Sequence, residues 1–185
     1  MSQRRRVLAV IGPGSGETRT DPIPEATRAL AYDIGRRAID AGFRLATGGL
    51  GGVMAAASEG AHAAEGYREG DVIGIVKSHA HGDANPFVDI VIPTGMGIAR
   101  NLLLVSTADV VVAIGGGSGT LSEIALAWQL GRPIVALRGG GWAGRLAGTA
   151  VDGRREGVVL EAGTAEEAIA LARDAFRTRT RDPDS

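Results

Sequence analysis

Residues 109–130 read DVVVAIGGGSGTLSEIALAWQL, and this stretch decides the fold. Val110 to Ile114 form an apolar run of the length of a fully buried parallel strand. Gly115, Gly116 and Gly117 break it, and Ser118, Gly119 and Thr120 follow. Leu121, Ile124, Ala125 and Trp128 then recur at helical spacing. The pattern predicts a strand, a tight glycine turn and a helix N-terminus. N–H groups at a helix start, together with the dipole, attract an anion. Glycines let the backbone approach it and take positive φ. A phosphate on Gly117 to Thr120 is the expected guest. A β-branched residue at Gly117 or Gly119 is expected to remove both the approach and the positive φ. Thr120 and Glu123 also have the T-x-x-E spacing of a capping box, which accounts for those two residues but not for four glycines.

The same event recurs outward from this stretch. A first strand, Arg6–Ile11, runs into Gly12-Pro13-Gly14-Ser15-Gly16-Glu17. A dinucleotide fingerprint would need glycine at the sixth position, where Glu17 stands. Pro22 and Pro24 open a helix over Glu25–Ala41, closed by Gly42. A second strand, Phe43–Ala46, leads into Thr47-Gly48-Gly49-Leu50-Gly51-Gly52 and an alanine-rich helix over Val53–Ala64. Asp71–Val76 reads as a third strand and Val88–Ile92 as a fourth. The turn Thr94-Gly95-Met96-Gly97 leads to a helix with Arg100 and Asn101 in its first turn. Pro133–Leu137 and Val158–Glu161 complete about seven strands. Thr164 and Glu167 form a capping box on the last helix, and residues 177–185 read as a frayed tail. Alternating strands and helices predict a doubly wound, mostly parallel, Rossmann-like α/β sheet flanked by helices, in one domain over 1–185. Its glycine turns should gather at the carboxyl ends of the strands.

Composition narrows the function classes. The chain has 185 residues, 44% of them hydrophobic, and 29 glycines. That is a globular composition with an excess of glycine for turns. A net charge of −1 argues against a broad nucleic-acid surface. There is no cysteine, hence neither a disulfide framework nor a thiolate metal site. Lys77 is the sole lysine, and only it could form the Schiff base of a pyridoxal enzyme. His79, His81 and Asp83 have an H-x-H-x-D spacing, but they fall in an expected exposed loop with nothing to complete a site, so no metal is assigned. With no apolar run long enough for a membrane span or a leader, the expected location is cytoplasmic.

Arg100 and Glu123 stand in the first turns of successive helices aimed at one crevice. An arginine can fork onto a phosphate. A carboxylate beside it can move a proton or stabilise positive charge at a sugar C1′. The same spacing also suits a structural ion pair.

The run GGGSGTLSE resembles the PGGxGTxxE motif of the Lonely Guy family, long misnamed lysine decarboxylases. Thr47 to Met54 is similar to that family's first glycine motif, and Arg100 stands at the matching distance. The resemblance spans roughly 7–137. It implies a Rossmann-like homodimer or tetramer that needs no metal or pyridoxal and cleaves nucleoside 5′-monophosphates into base and ribose 5-phosphate. Arg100 and Glu123 would be the catalytic pair, and Gly116, Gly117, Ser118, Gly119 and Thr120 would hold the phosphate. Gly12, Gly14, Ser15, Thr47, Gly48, Gly49, Gly51, Gly52, Thr94, Gly95, Met96 and Asn101 complete the expected ligand set. Gly115 replaces the motif proline, and no basic residue follows Arg100. In these features, and in the Asn85–Asn101 stretch, the chain is more similar to a sister branch that includes molybdenum cofactor carrier proteins. Those bind a phosphorylated pterin carrying molybdenum and leave it intact. The expectation is therefore a carrier-like binder of a phosphorylated small molecule, with the phosphoribohydrolase as the alternative.

Overall fold

A computed structural model of the chain describes residues 4–14 and 23–179. Seven strands pair in one sheet: β1 (Val7–Ile11), β2 (Arg44–Thr47), β3 (Val72–Val76), β4 (Ile90–Pro93), β5 (Val110–Ala113), β6 (Ile134–Leu137) and β7 (Leu160–Ala162). Their order is β4-β3-β2-β1-β5-β6-β7, and every pairing is parallel. Six α-helices accompany them: α1 (Glu25–Asp40), α2 (Val53–His62), α3 (Arg100–Thr107), α4 (Ser118–Gln129), α5 (Gly141–Leu146) and α6 (Ala165–Arg179).

The period-two alternation of a strand sends successive side chains to opposite faces. Leu8 and Val10 of β1 pack with α1, α2 and α6. Val7, Ala9 and Ile11 pack with α3, α4 and α5. β1 and β5 are buried throughout, which is why they read as unbroken apolar runs. α1 and α2 meet at unusually close range. A Cβ at Gly35 would lie 1.9 Å from the Ala57 carbonyl oxygen, and one at Gly60 would lie 1.9 Å from that of Tyr32.

The chain builds β2, β3 and β4 to one side of β1, then returns along α3 to lay β5 on its other side. β1 and β5 thus flank the point where the winding reverses. Ligands of open α/β sheets bind in the crevice beyond the carboxyl ends of such strands.

Several boundaries differ from the sequence reading. β2 begins at Arg44 and includes Thr47, β4 begins at Ile90, and β7 begins at Leu160. α6 continues to Arg179, into the stretch expected to fray. α5, which begins at Gly141, was not expected from the sequence. Trp128 is 1% exposed in the core, where its indole N–H donates to Asp152 at 2.8 Å. Among the described residues no helix is long and apolar enough to cross a membrane.

Candidate functional site

The turn between β5 and α4 carries positive φ at Gly115 (55°) and Gly116 (87°), which turn the chain sharply at the sheet's edge. Gly116 must also be glycine for a second reason: a Cβ there would meet the Thr120 hydroxyl at 2.1 Å. Gly117 and Gly119 do not have positive φ, contrary to the sequence expectation. A Cβ at either would meet nothing within 4 Å, so both look onto open space. The first i→i−4 bond of α4 runs from the Leu121 N–H to the Gly117 carbonyl, at 3.0 Å. The N–H groups of Ser118, Gly119 and Thr120 therefore precede the helical ladder.

The alternative reading of Thr120 and Glu123 as a capping box on α4 is not met. Gly117 is the N-cap, and no side chain caps it. Thr120 lies inside the first turn, and Glu123 turns instead to Arg100. Arg100 Nη1 donates to Glu123 Oε1 at 3.0 Å, and both residues are buried. Burial pushes the Glu123 carboxyl up to about 7 from an ordinary 4.5, outweighing the downward pull of Arg100. The guanidinium lies against Gly48, where a Cβ would stand 2.3 Å from Nη2. Gly48 thus gives Arg100 its seat. Asn101 Nδ2 donates to Ser122 Oγ at 2.7 Å and Ser122 Oγ to the Gly119 carbonyl at 2.7 Å, tying α3 to the start of α4.

These groups line a cavity of about 440 Å³ floored by β1. Of the sequence-derived set, Gly12, Gly14, Gly48, Arg100, Asn101, Gly117, Ser118, Gly119, Thr120 and Glu123 lie on its wall. Thr47, Gly49, Gly51, Gly52, Thr94, Gly95, Met96 and Gly116 are not part of its lining. Thr47 is fully buried and accepts the Gly49 N–H at 3.0 Å. Gly52 starts α2 with φ 67° directly against Pro13 and Gly14. Thr94 Oγ1 donates to the Val76 carbonyl at 2.9 Å and accepts the Met96 N–H at 3.2 Å. Gly95 is covered by the His79 ring. Gly116 faces a neighbouring cavity of about 520 Å³ on the β6 side, with Arg138 on its wall. Ser15 lies outside the described residues. His81 and Asp83 sit in an exposed single turn, and among the described residues no three of His, Cys, Asp and Glu group as a metal site would need.

Sequence reasoning missed Lys77, Leu50, Met54 and Ile98, which line the same cavity. Lys77 stands at a strand exit, one residue beyond β3, a position that chain order alone does not bring near Arg100.

A family model described as the SLOG cluster4 family matches residues 5–174. The chain belongs to that family. It is similar to the structural-genomics target TM1055, at 32% identity and a TM-score of 0.79, covering 91% of this chain and 99% of that one. It is also similar to the molybdenum cofactor binding protein of the phototrophic bacterium Rippkaea orientalis. There the identity is 36% and the TM-score 0.77, over 95% of this chain and 99% of that one. The molybdenum cofactor carrier protein of Chlamydomonas reinhardtii matches at 32% identity and a TM-score of 0.77, over 94% and 99% of the two chains.

Proposed function

We propose that this chain binds a phosphorylated pterin of the molybdenum cofactor type and carries it intact. The observation that carries this reading is the open start of α4. Ser118, Gly119 and Thr120 offer backbone N–H groups before the helical ladder begins, and Gly117 and Gly119 leave the space in front of them clear. A phosphate there meets the positive end of α4 and approaches the backbone with no Cβ in its way. Full-length similarity to a molybdenum cofactor binding protein and to a carrier protein supports the pterin as the ligand class. The residues present fit such a cargo, since the chain supplies backbone donors and buried arginine for the phosphate. The molybdenum chemistry belongs to the cofactor.

A second reading, hydrolysis of a nucleoside 5′-monophosphate, rests on Glu123. A buried carboxyl near 7, held by Arg100 on the cavity wall, is suited to proton transfer at neutral pH. The two readings separate in one experiment. The protein is incubated with a panel of nucleoside 5′-monophosphates and free base is measured, while a phosphorylated pterin is titrated in parallel. A carrier releases no base and binds the pterin, with little change in Glu123→Gln. Base release that falls by about 10²–10⁴-fold in Glu123→Gln would establish the hydrolase instead.

The reading includes self-association. Ile98 is 88% exposed at the cavity mouth, and Met96, Leu102 and Leu103 are also exposed. Ile90 and Ile92 stand exposed on the edge strand β4, in register with Ile73 and Ile75. An apolar surface at one side of the cavity suits a second copy of the chain.

A further inference from the structure

Resting on the phosphate-binding reading, we infer that capture of the phosphate is coupled to uptake of a proton by Glu123, which gives up Arg100 to the incoming anion. Residues three and four apart on a helix are neighbours, and their side chains lean towards its N-terminus. Glu123 therefore reaches back over Gly119 and Thr120, and all three line the cavity. A phosphate on the N–H groups of Ser118 to Thr120 would stand within a helical turn, about 5 Å, of the carboxyl. Arg100 lines the same cavity. Its Nη1 donates to Glu123 Oε1 at 3.0 Å, and Gly48 backs its Nη2.

Like charges so close in a buried site disfavour each other's ionised form. With Glu123 ionised, the pair shows an arriving anion no net charge and sets a carboxylate beside it. With Glu123 neutral, the same wall presents the whole positive charge of Arg100 and a carboxyl O–H that can donate to a phosphate oxygen. The proton comes from solvent and returns to it when the ligand leaves. The elements packed most closely on α4 bring few other charges. Among their described residues α3 carries Arg100 alone, and β5 and β6 carry none. α5 carries Arg145, whose guanidinium lies 5.0 Å from the Trp142 ring centre. Lys77 also lines the cavity and is kept in every variant below. Burial has already pushed the Glu123 carboxyl up to about 7, so a modest change of pH moves the proton.

Inorganic sulfate tests this, because its charge stays fixed near neutral pH, where a phosphate monoester itself titrates. It is titrated by calorimetry into the full chain, into Glu123→Gln and into Gly119→Val. Each titration is run at about pH 6 and about pH 8, in two buffers of different ionisation enthalpy. The expected result is that affinity for the unmodified protein falls about tenfold between the two pH values, with close to one proton taken up per sulfate at the higher one. In Glu123→Gln both the fall and the uptake vanish, and at about pH 8 the variant binds more tightly than the unmodified protein by about the same factor. Near pH 7 the two differ only about twofold. Affinity without pH dependence or proton uptake in the unmodified protein overturns the inference, whether or not the variant folds. A fall that persists in Glu123→Gln also overturns it. Gly119→Val tests the cradle separately: sulfate binding that it leaves unchanged, or no binding by the unmodified protein at about pH 6, contradicts the phosphate reading and the coupling with it.

Discussion

Glu123 holds its proton to higher pH in the folded chain than in the unfolded one, because burial disfavours the carboxylate more than Arg100 favours it. A raised folded value contributes stability that is fully present below about 4.5 and lost as pH rises through about 7. Between those limits the native state binds more protons than the unfolded state, so this group makes stability fall with rising pH. Urea midpoints measured across that range should show a steeper fall in the unmodified protein than in Glu123→Gln. Superimposable pH profiles would contradict the assignment. The residue scale also shows what the sequence leaves hidden. Arg100 and Glu123 were identifiable as partners from their places after successive strands. Gly48 read as a ligand-facing glycine, and its task as the seat of the guanidinium depends on a contact 52 positions away in the chain.

At the scale of elements, α1 and α2 offer a direct test of packing against propensity. Replacing a mid-helix glycine by alanine ordinarily stabilises a helix by about 1 kcal/mol. At Gly35 and Gly60 the added methyl would overlap a backbone carbonyl of the facing helix. Overpacking of that kind costs about 1–3 kcal/mol and sometimes more, so the clash outweighs the propensity gain. Gly35→Ala and Gly60→Ala should each lower the midpoint of thermal unfolding, and a rise in either would refute the close crossing. The elements themselves were largely legible, because buried parallel strands and glycine turns leave simple patterns. α5 was not, since three glycines outweigh six residues of short helix. The capping-box alternative for Thr120 and Glu123 is not formed on α4, because tertiary contact takes Glu123 to Arg100 although the spacing suits a cap. The capping box on α6 forms in part: the Glu167 N–H donates to Thr164 Oγ1 at 3.1 Å, while the Glu167 carboxylate accepts the Gly163 N–H at 2.7 Å.

For the whole molecule, the winding reversal at β1 and β5 turns four separate glycine stretches into one neighbourhood. All four reach the cavity: Gly12 and Gly14 after β1, Gly48 and Leu50 after β2, Gly97 after β4, and Gly117 to Thr120 after β5 line it. Chain order showed that these turns would converge, but not which of their residues would face the ligand. The proposed self-association places the exposed Ile98 and Leu102 in the interface. Leu102→Glu combined with Ile98→Glu should shift the protein to a monomer in light scattering at micromolar concentration. A monomer before substitution, or an oligomer unaffected by it, would place the interface elsewhere or remove it. The central claim is that the start of α4 holds the phosphate of a pterin-type ligand. Its most direct measurement is calorimetric titration of a phosphorylated pterin and of the same pterin without its phosphate. The unmodified protein should bind the phosphorylated form far more tightly, and Gly119→Val should lose that preference with its unfolding temperature unchanged, since its side chain enters space the protein leaves open. Equal affinity for the two pterins, or a preference that survives in Gly119→Val, would contradict the account.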